Sequence, residues 1–214
     1  MLIAGAKGLA KEILEILYQS QKTADLVFFD DVNDDVTGLL YNSFKVLKTA
    51  DETAAYFKSV SNEFTVGIGN PFLRKKLYEK FTALGGQFTS TISPLATIGH
   101  FGNTIETGCN IMAGTVITND VFIGKGTLIN PNCTIAHDCV IAEFVEISPG
   151  VNIAGNCKIG AYTALGTNAT VLPKITIGSN VIVAAGAVVT KDIPDNCMVA
   201  GVPAVIKKEL PINF

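Results

Sequence analysis

Two histidines are all that this 214-residue chain possesses, and one of them, His137, is followed directly by Asp138. An imidazole titrating near neutrality, with a carboxylate beside it to hold one tautomer, can take a proton from an attacking nucleophile. The competing reading of the same pair is a surface histidine, or one that packs a subunit interface. Five cysteines offer a second kind of chemistry, but Cys109, Cys133, Cys139 and Cys157 form no CxxC pair and the total is odd. Neither a zinc site nor a disulfide framework is indicated. A third group opens the chain. Gly5-Ala6-Lys7-Gly8, between an apolar stretch and an amphipathic one, can bring backbone amides and a helix N-terminus to a diphosphate. Asp30 or Asp31 can accept hydrogen bonds from a ribose or a base, and Gly69 and Asn70 end a later strand on the same edge. A plain α/β turn with a surface acid explains these residues equally well.

The elements that must hold these groups fall into two halves. Residues 1–94 carry 21 charged side chains, whereas the 85 residues from Ile105 to Val189 carry 8. In the first half, Met1–Ala4 reads as a short strand, Ala10–Ser20 as a helix with Ile13, Leu14, Ile16 and Leu17 on one face, and Leu26–Phe29 as a second strand. Phe64–Ile68 is a third strand, and Asn70-Pro71 has the residues of a cap and first-turn proline for a helix over Phe72–Leu84. Strand, glycine turn, helix and a strand ending in an acid is the order of a small parallel, Rossmann-like α/β domain, here 1–90.

The remainder, 91–214, follows another rule. Stepping by six from Ile105 to Val189 meets fifteen residues, every one Ile, Leu or Val. Neither a helical period nor plain alternation produces this. A fixed six-residue repeat indicates a parallel β-helix. The column four residues later is mostly small or β-branched and holds four of the five cysteines, whose spacings of 24, 6 and 18 are multiples of six. They read as core filler.

The hexads, the segment TVLPKITIG and the tail VAGVPAVIKK resemble the hexapeptide-repeat acyltransferases. With GAKGLAKE and FFDD at the N-terminal end, the resemblance narrows to bacterial sugar acetyltransferases of the sialic-acid O-acetyltransferase and nucleotide-amino-sugar N-acetyltransferase type. It implies a left-handed β-helix with three hexads per coil, so that residues eighteen apart stack about 4.8 Å from one another. His137 then lies between Asn119 and Gly155, in a column continuing to Pro173 and Lys191. His137-Asp138 falls on the family's histidine–acid motif. The resemblance therefore implies His137 as general base, Asp138 as its orienter and the Gly155 amide as donor to the thioester carbonyl. Acetyl-CoA is the implied cosubstrate, with no metal. Its arm is expected to run past Gly155 and Gly166 towards the C-terminal coils, where Lys174, Lys191, Lys207 or Lys208 can meet phosphates. The family implies a nucleotide-linked sugar on Gly5, Lys7, Gly8, Asp30, Asp31, Gly69 and Asn70, and a homotrimer with active sites between subunits. Two positions depart from the N-acetylating members. They often carry a histidine where this chain has Leu9, and can carry a second where it has Glu146.

Other classes fit less of the chain. A γ-type carbonic-anhydrase-like metalloenzyme needs three histidines on zinc, and each chain supplies only His100 and His137. His100, at a seven-residue step between Ile98 and Ile105, reads as structural or interfacial. A dinucleotide oxidoreductase would leave half the chain unused, and a purely assembling solenoid would leave His137 idle. The net charge of −3 supplies no basic excess for nucleic acid. No apolar run is long enough for a membrane span, and MLIAGAKGLAKE lacks the unbroken apolar segment of a signal peptide, which implies a cytoplasmic protein.

Overall fold

The computed structural model describes residues 1–212 and separates into two compact units, Met1–Pro94 and the chain from Leu95 onward. The first unit is an α/β sandwich. Its elements run β1 (Leu2–Ala4), α1 (Gly8–Gln19), β2 (Val27–Phe29), β3 (Leu39–Leu40), β4 (Phe44–Leu47), α2 (Ala50–Ser59), β5 (Glu63–Val66), α3 (Pro71–Ala83) and β6 (Gln87–Phe88). They form one sheet of order β3-β4-β2-β1-β5-β6, parallel except for the β3–β4 hairpin. The three expected strands and two expected helices are present within two residues at each end. The β3–β4 hairpin and α2 lie where no element was expected. α2 nonetheless carries a full capping box, because Thr49 accepts from the Glu52 amide and Glu52 returns a carboxylate to the Thr49 amide. Phe29, Phe57, Phe64 and Phe81 make the core beneath α2 and α3, with Phe29 edge-on to Phe81 at 5.0 Å.

The second unit is the parallel β-helix that the hexads require. Two-residue strands stack into three parallel sheets in strict eighteen-residue register, as in Ile117↔Ile135, Ile135↔Ile153 and Ile153↔Val171. This pairing fits a left-handed coil of three hexads. Fourteen of the fifteen aliphatic residues are buried, Ile105 in the first complete coil being the half-buried one, and all fourteen members of the small-residue column from Cys109 to Ala187 are buried with them. The cysteines of that column are free thiols in the core. Each turn is closed by a residue in the left-handed region three positions after the aliphatic one, from Gly108 to Gly186. Glycine, Asn and Asp predominate there because they occupy that region at least cost. The last coils are continued by Cys197–Ala200, parallel to Ile182–Val183, which pairs antiparallel with Val205–Glu209.

Because every inward aliphatic touches its counterparts one coil above and below, its loss leaves a void that a rigid stack cannot close. Ile147→Ala, at a fully buried position in mid-stack, is expected to lower the unfolding free energy by about 3–4 kcal/mol. Equilibrium denaturation against wild type measures it.

Candidate active site

His137 sits in the turn that follows the strand Thr134–Ile135, two residues beyond the inward Ile135. Its imidazole is directed outwards, with the side chain 62% exposed, and Nδ1 lies 2.6 Å from Asp138 Oδ2. That contact assigns the ring proton to Nδ1 and leaves the Nε2 lone pair open. Asp138 has a second reason for being there. It occupies the left-handed turn position with φ 60°, and its amide donates to the Asn119 carbonyl at 3.3 Å. The acid is therefore both a turn-former and the partner of the imidazole, and its backbone holds its carboxylate in place.

One coil on, Gly155 lies under the ring. A methyl group placed on its Cα would come 2.7 Å from His137 Cε1 and 2.8 Å from Nε2. The imidazole thus occupies the space that any other residue's Cβ would fill. The two turns are tied by the Asn156 amide, which donates to the His137 carbonyl at 2.9 Å, and by the Lys174 amide, which donates to the Gly155 carbonyl at 3.0 Å. Among the described residues the Gly155 N–H has no acceptor. A free lone pair and a free backbone donor therefore sit on adjacent coils of one corner.

Pro173, Lys174 and Lys191 continue the same corner and are exposed. Lys174 holds a left-handed turn position, φ 63°. Gly166 does not join them. It follows the strand Ala164–Leu165 of a different sheet, its amide donates to Val183 O at 2.8 Å, and an added Cβ would meet Ala185 N at 2.6 Å. Coil stacking alone accounts for that glycine. Lys207 and Lys208 lie on the exposed strand Val205–Glu209, and His100 is exposed in the bulged turn before Thr104–Ile105.

In the first unit the glycine turn borders an open cavity of about 240 Å³ lined by Gly5, Lys7, Gly8, Leu9, Asp30 and Gly69, among others. Gly5 has φ +105°, and a side chain there would press on Gly67 O at 3.0 Å. Beside it a second cavity of about 640 Å³ shares Gly5, Asp30, Asn33 and Ile68 and extends under α3 to Leu73, Lys76, Leu77 and Lys80. Asp30 is 6% exposed and its carboxylate is engaged internally, accepting from the Asn33 amide at 2.8 Å and from Asn33 Nδ2. Asp31 pairs with Lys80 at 2.6 Å, and that ammonium also covers the Phe29 ring at 4.5 Å. Lys7 is bonded to Asp35, whose carboxyl it holds below its ordinary range. Asn70 caps α3 by accepting from the Leu73 amide at 3.1 Å, so its side chain is committed to the helix.

Residues 1–81 match the PglD N-terminal domain family, and residues 120–155 and 156–191 match the bacterial transferase hexapeptide (six repeats) family. The acetyltransferase domain of PglB from Neisseria gonorrhoeae, solved with acetyl coenzyme A, is 33% identical over 96% of this chain and 98% of its own, with a TM-score of 0.87. The chain belongs to the bacterial hexapeptide-repeat sugar acetyltransferases. A single-residue mutant of perosamine N-acetyltransferase from Caulobacter crescentus, solved with CoA and GDP-perosamine, is 30% identical over 97% of this chain and 96% of its own, TM-score 0.89. WeeI from Acinetobacter baumannii is 30% identical over 96% and 98%, TM-score 0.87. No curated protein sequence matches the chain.

Within this sugar acetyltransferase chain the structure adds cavity residues that sequence reading passed over. Leu73, Lys76, Leu77 and Lys80 recur at helical spacing on one face of α3, a signal that was available, and Asn33 lies three residues after Asp30. Leu9 lines the smaller cavity, so the departure from histidine falls on its wall. Among the described residues no three His, Cys, Asp or Glu side chains are gathered as a metal site, and no helix is long and apolar enough to cross a membrane.

Proposed function

We propose that the protein transfers the acetyl group of acetyl-CoA to the amine of a nucleotide-linked amino-sugar, as a cytoplasmic homotrimer serving surface-glycan synthesis. The observation that carries this reading is the His137–Asp138 pair seated over Gly155, in a chain whose solved relatives were captured with acetyl-CoA, or with CoA and GDP-perosamine. The sugar amine attacks the thioester carbonyl carbon while His137 Nε2 removes its proton, and Asp138 steadies the imidazolium that forms. The Gly155 amide donates to the developing oxyanion, which costs no reorganisation because the donor is already placed and unpaired. Collapse of the tetrahedral species expels the CoA thiolate, which takes the proton back from His137. Neutral base, free thiol and acetamido sugar result.

The exposed Pro173–Lys174 turn and Lys191 continue the corner towards the C-terminal coils and suit the pantetheine arm and phosphates of CoA, with Lys207 and Lys208 as further phosphate partners. The two adjoining cavities of the first unit suit the nucleotide. Gly5, Lys7, Gly8 and Gly69 line the smaller cavity at the turn, Asp30 lines both cavities and Asp31 lines the α3 chamber. Release of free thiol from acetyl-CoA, followed with UDP-, GDP- and dTDP-linked amino-sugars and with free sialic acid, tests the assignment. Turnover is expected with a nucleotide-linked amino-sugar, the product gaining one acetyl by mass. Turnover with sialic acid alone would instead establish an O-acetyltransferase.

A further inference from the structure

The buried cysteine column passes beneath the catalytic corner, and one of its thiols reaches the peptide that carries the Gly155 N–H. Cys139, wholly buried, donates its thiol to the Ala154 carbonyl at 3.2 Å, with the His137 carbonyl farther off at 3.7 Å. The Ala154–Gly155 bond is trans, since the one cis bond among the described residues joins Val202 to Pro203. In a trans peptide the carbonyl and the N–H point in opposite directions. A carbonyl drawn inwards by a core thiol therefore turns the Gly155 N–H outwards, to the side on which the His137 ring lies.

We infer that Cys139 is a positioning residue for acetyl transfer, its thiol fixing and polarising the Ala154–Gly155 peptide so that the Gly155 amide is aimed at the thioester oxygen. This rests on the role proposed above for Gly155. A hydrogen bond to the carbonyl of an amide strengthens the same amide as a donor, so the thiol acts on strength as well as direction. The neighbouring Cys157 sulfur and burial both push the Cys139 thiol pKa upwards, which keeps the donor protonated over the working pH range.

The rest of the column supplies the controls. Thr115, Thr127 and Thr163 stand at equivalent places and donate their hydroxyls to the carbonyl fifteen residues on, at 3.1, 2.9 and 2.8 Å. Threonine is therefore a replacement that preserves the bond, while Val121, Val145 and Val151 show that valine fits the column without one. Cys133 makes the same contact with Ser148 O at 3.2 Å, but the next residue is Pro149, so that peptide has no N–H to present. Cys157 likewise bonds the Leu172 carbonyl at 3.2 Å ahead of Pro173. Among these three thiols, Cys139 alone supports a peptide with an N–H to aim.

Cys139→Val, Cys139→Thr and Cys133→Val are compared in the full-length protein for kcat, KM, melting temperature and the infrared carbonyl stretch of bound 13C-labelled acetyl-CoA. Cys139→Val is expected to lose about tenfold in kcat, between the worth of an ordinary hydrogen bond and that of a whole oxyanion donor, with KM for acetyl-CoA within about twofold. Its bound thioester stretch should move back towards the solution frequency. Cys139→Thr should restore both. Cys133→Val should match Cys139→Val in melting temperature and keep wild-type kcat. Equal kcat losses in Cys133→Val and Cys139→Val, or a thioester band shifted alike in wild type and Cys139→Val, would overturn the inference while leaving the Gly155 role standing. A wild-type band at the solution frequency would remove the Gly155 role itself. Should Cys139→Val fail to fold, Cys139→Ala, a residue the column accepts at Ala169 and Ala187, carries the same comparison.

Discussion

His137→Ala is expected to lower kcat by about 10³-fold, with KM for acetyl-CoA nearly unchanged and the melting temperature within about a degree of wild type. The size follows from what the imidazole alone can supply. A positioned general base contributes about 10²–10⁴ in rate. The variant keeps the Gly155 donor and both binding regions, so it retains whatever proximity and oxyanion stabilisation provide. The unchanged stability follows from the side chain's exposure, since it fills no core space and makes its one side-chain hydrogen bond with its own neighbour, Asp138. Thiol release from acetyl-CoA with the amino-sugar found by the screen is the measurement. A loss below tenfold would mean that the amine arrives neutral and needs no base, and His137 would revert to a surface histidine.

The second half of the chain was legible because a solenoid turns sequence distance into spatial distance. Once eighteen residues make a coil, His137 and Gly155 are neighbours by subtraction, and the structure places them so. The same subtraction puts Gly166, eleven residues from Gly155, on a different side of the coil within one chain. The cysteines were legible as core, but not as donors, because the hydrogen bond from Cys139 depends on the inward tilt of one carbonyl. Periodicity carries no record of peptide tilt. In the first unit the apolar strands stood out, as did α1 by its aliphatic face and α3 by its Asn70-Pro71 start. The β3–β4 hairpin did not, since Leu39–Leu40 is two residues long and its turn residues Tyr41 and Asn42 give no Gly-based signal. α2 was missed despite its Thr-x-x-Glu box, because its buried face consists of Thr53, Tyr56 and Phe57 with no aliphatic residue among them. The α3 side of the cavity was missed for another reason: residues about forty-five positions apart come together there, and only the sheet order brings Leu73 and Lys76 next to Asp31 and Val32.

Gly155→Ala is the substitution that separates a glycine kept for chemistry from one kept for folding. At several glycines of the coil an added methyl group would strike main chain. At Gly124 it would lie 2.6 Å from the Ala142 carbonyl carbon, and at Gly160 2.4 Å from that of Gly178. Backbone in a stacked coil cannot withdraw, so those changes should destabilise the protein by about 2–3 kcal/mol, in the range of core overpacking. At Gly155 the atoms in the way are Cε1 and Nε2 of His137, the far end of a side chain that is 62% exposed. The ring can swing into solvent. Gly155 does not stand among the positive-φ residues, so alanine meets no backbone penalty there. Gly155→Ala should therefore fold with nearly wild-type stability and yet lose about 10²–10³ in kcat, because the base is pushed off its station while the backbone amide donor is kept. In the double variant His137→Ala/Gly155→Ala the obstruction has nothing left to displace. Its kcat should fall only slightly below that of His137→Ala, far short of the product of the two single losses, since both changes act on one apparatus. Multiplicative losses would show instead that the imidazole and the amide serve separate steps.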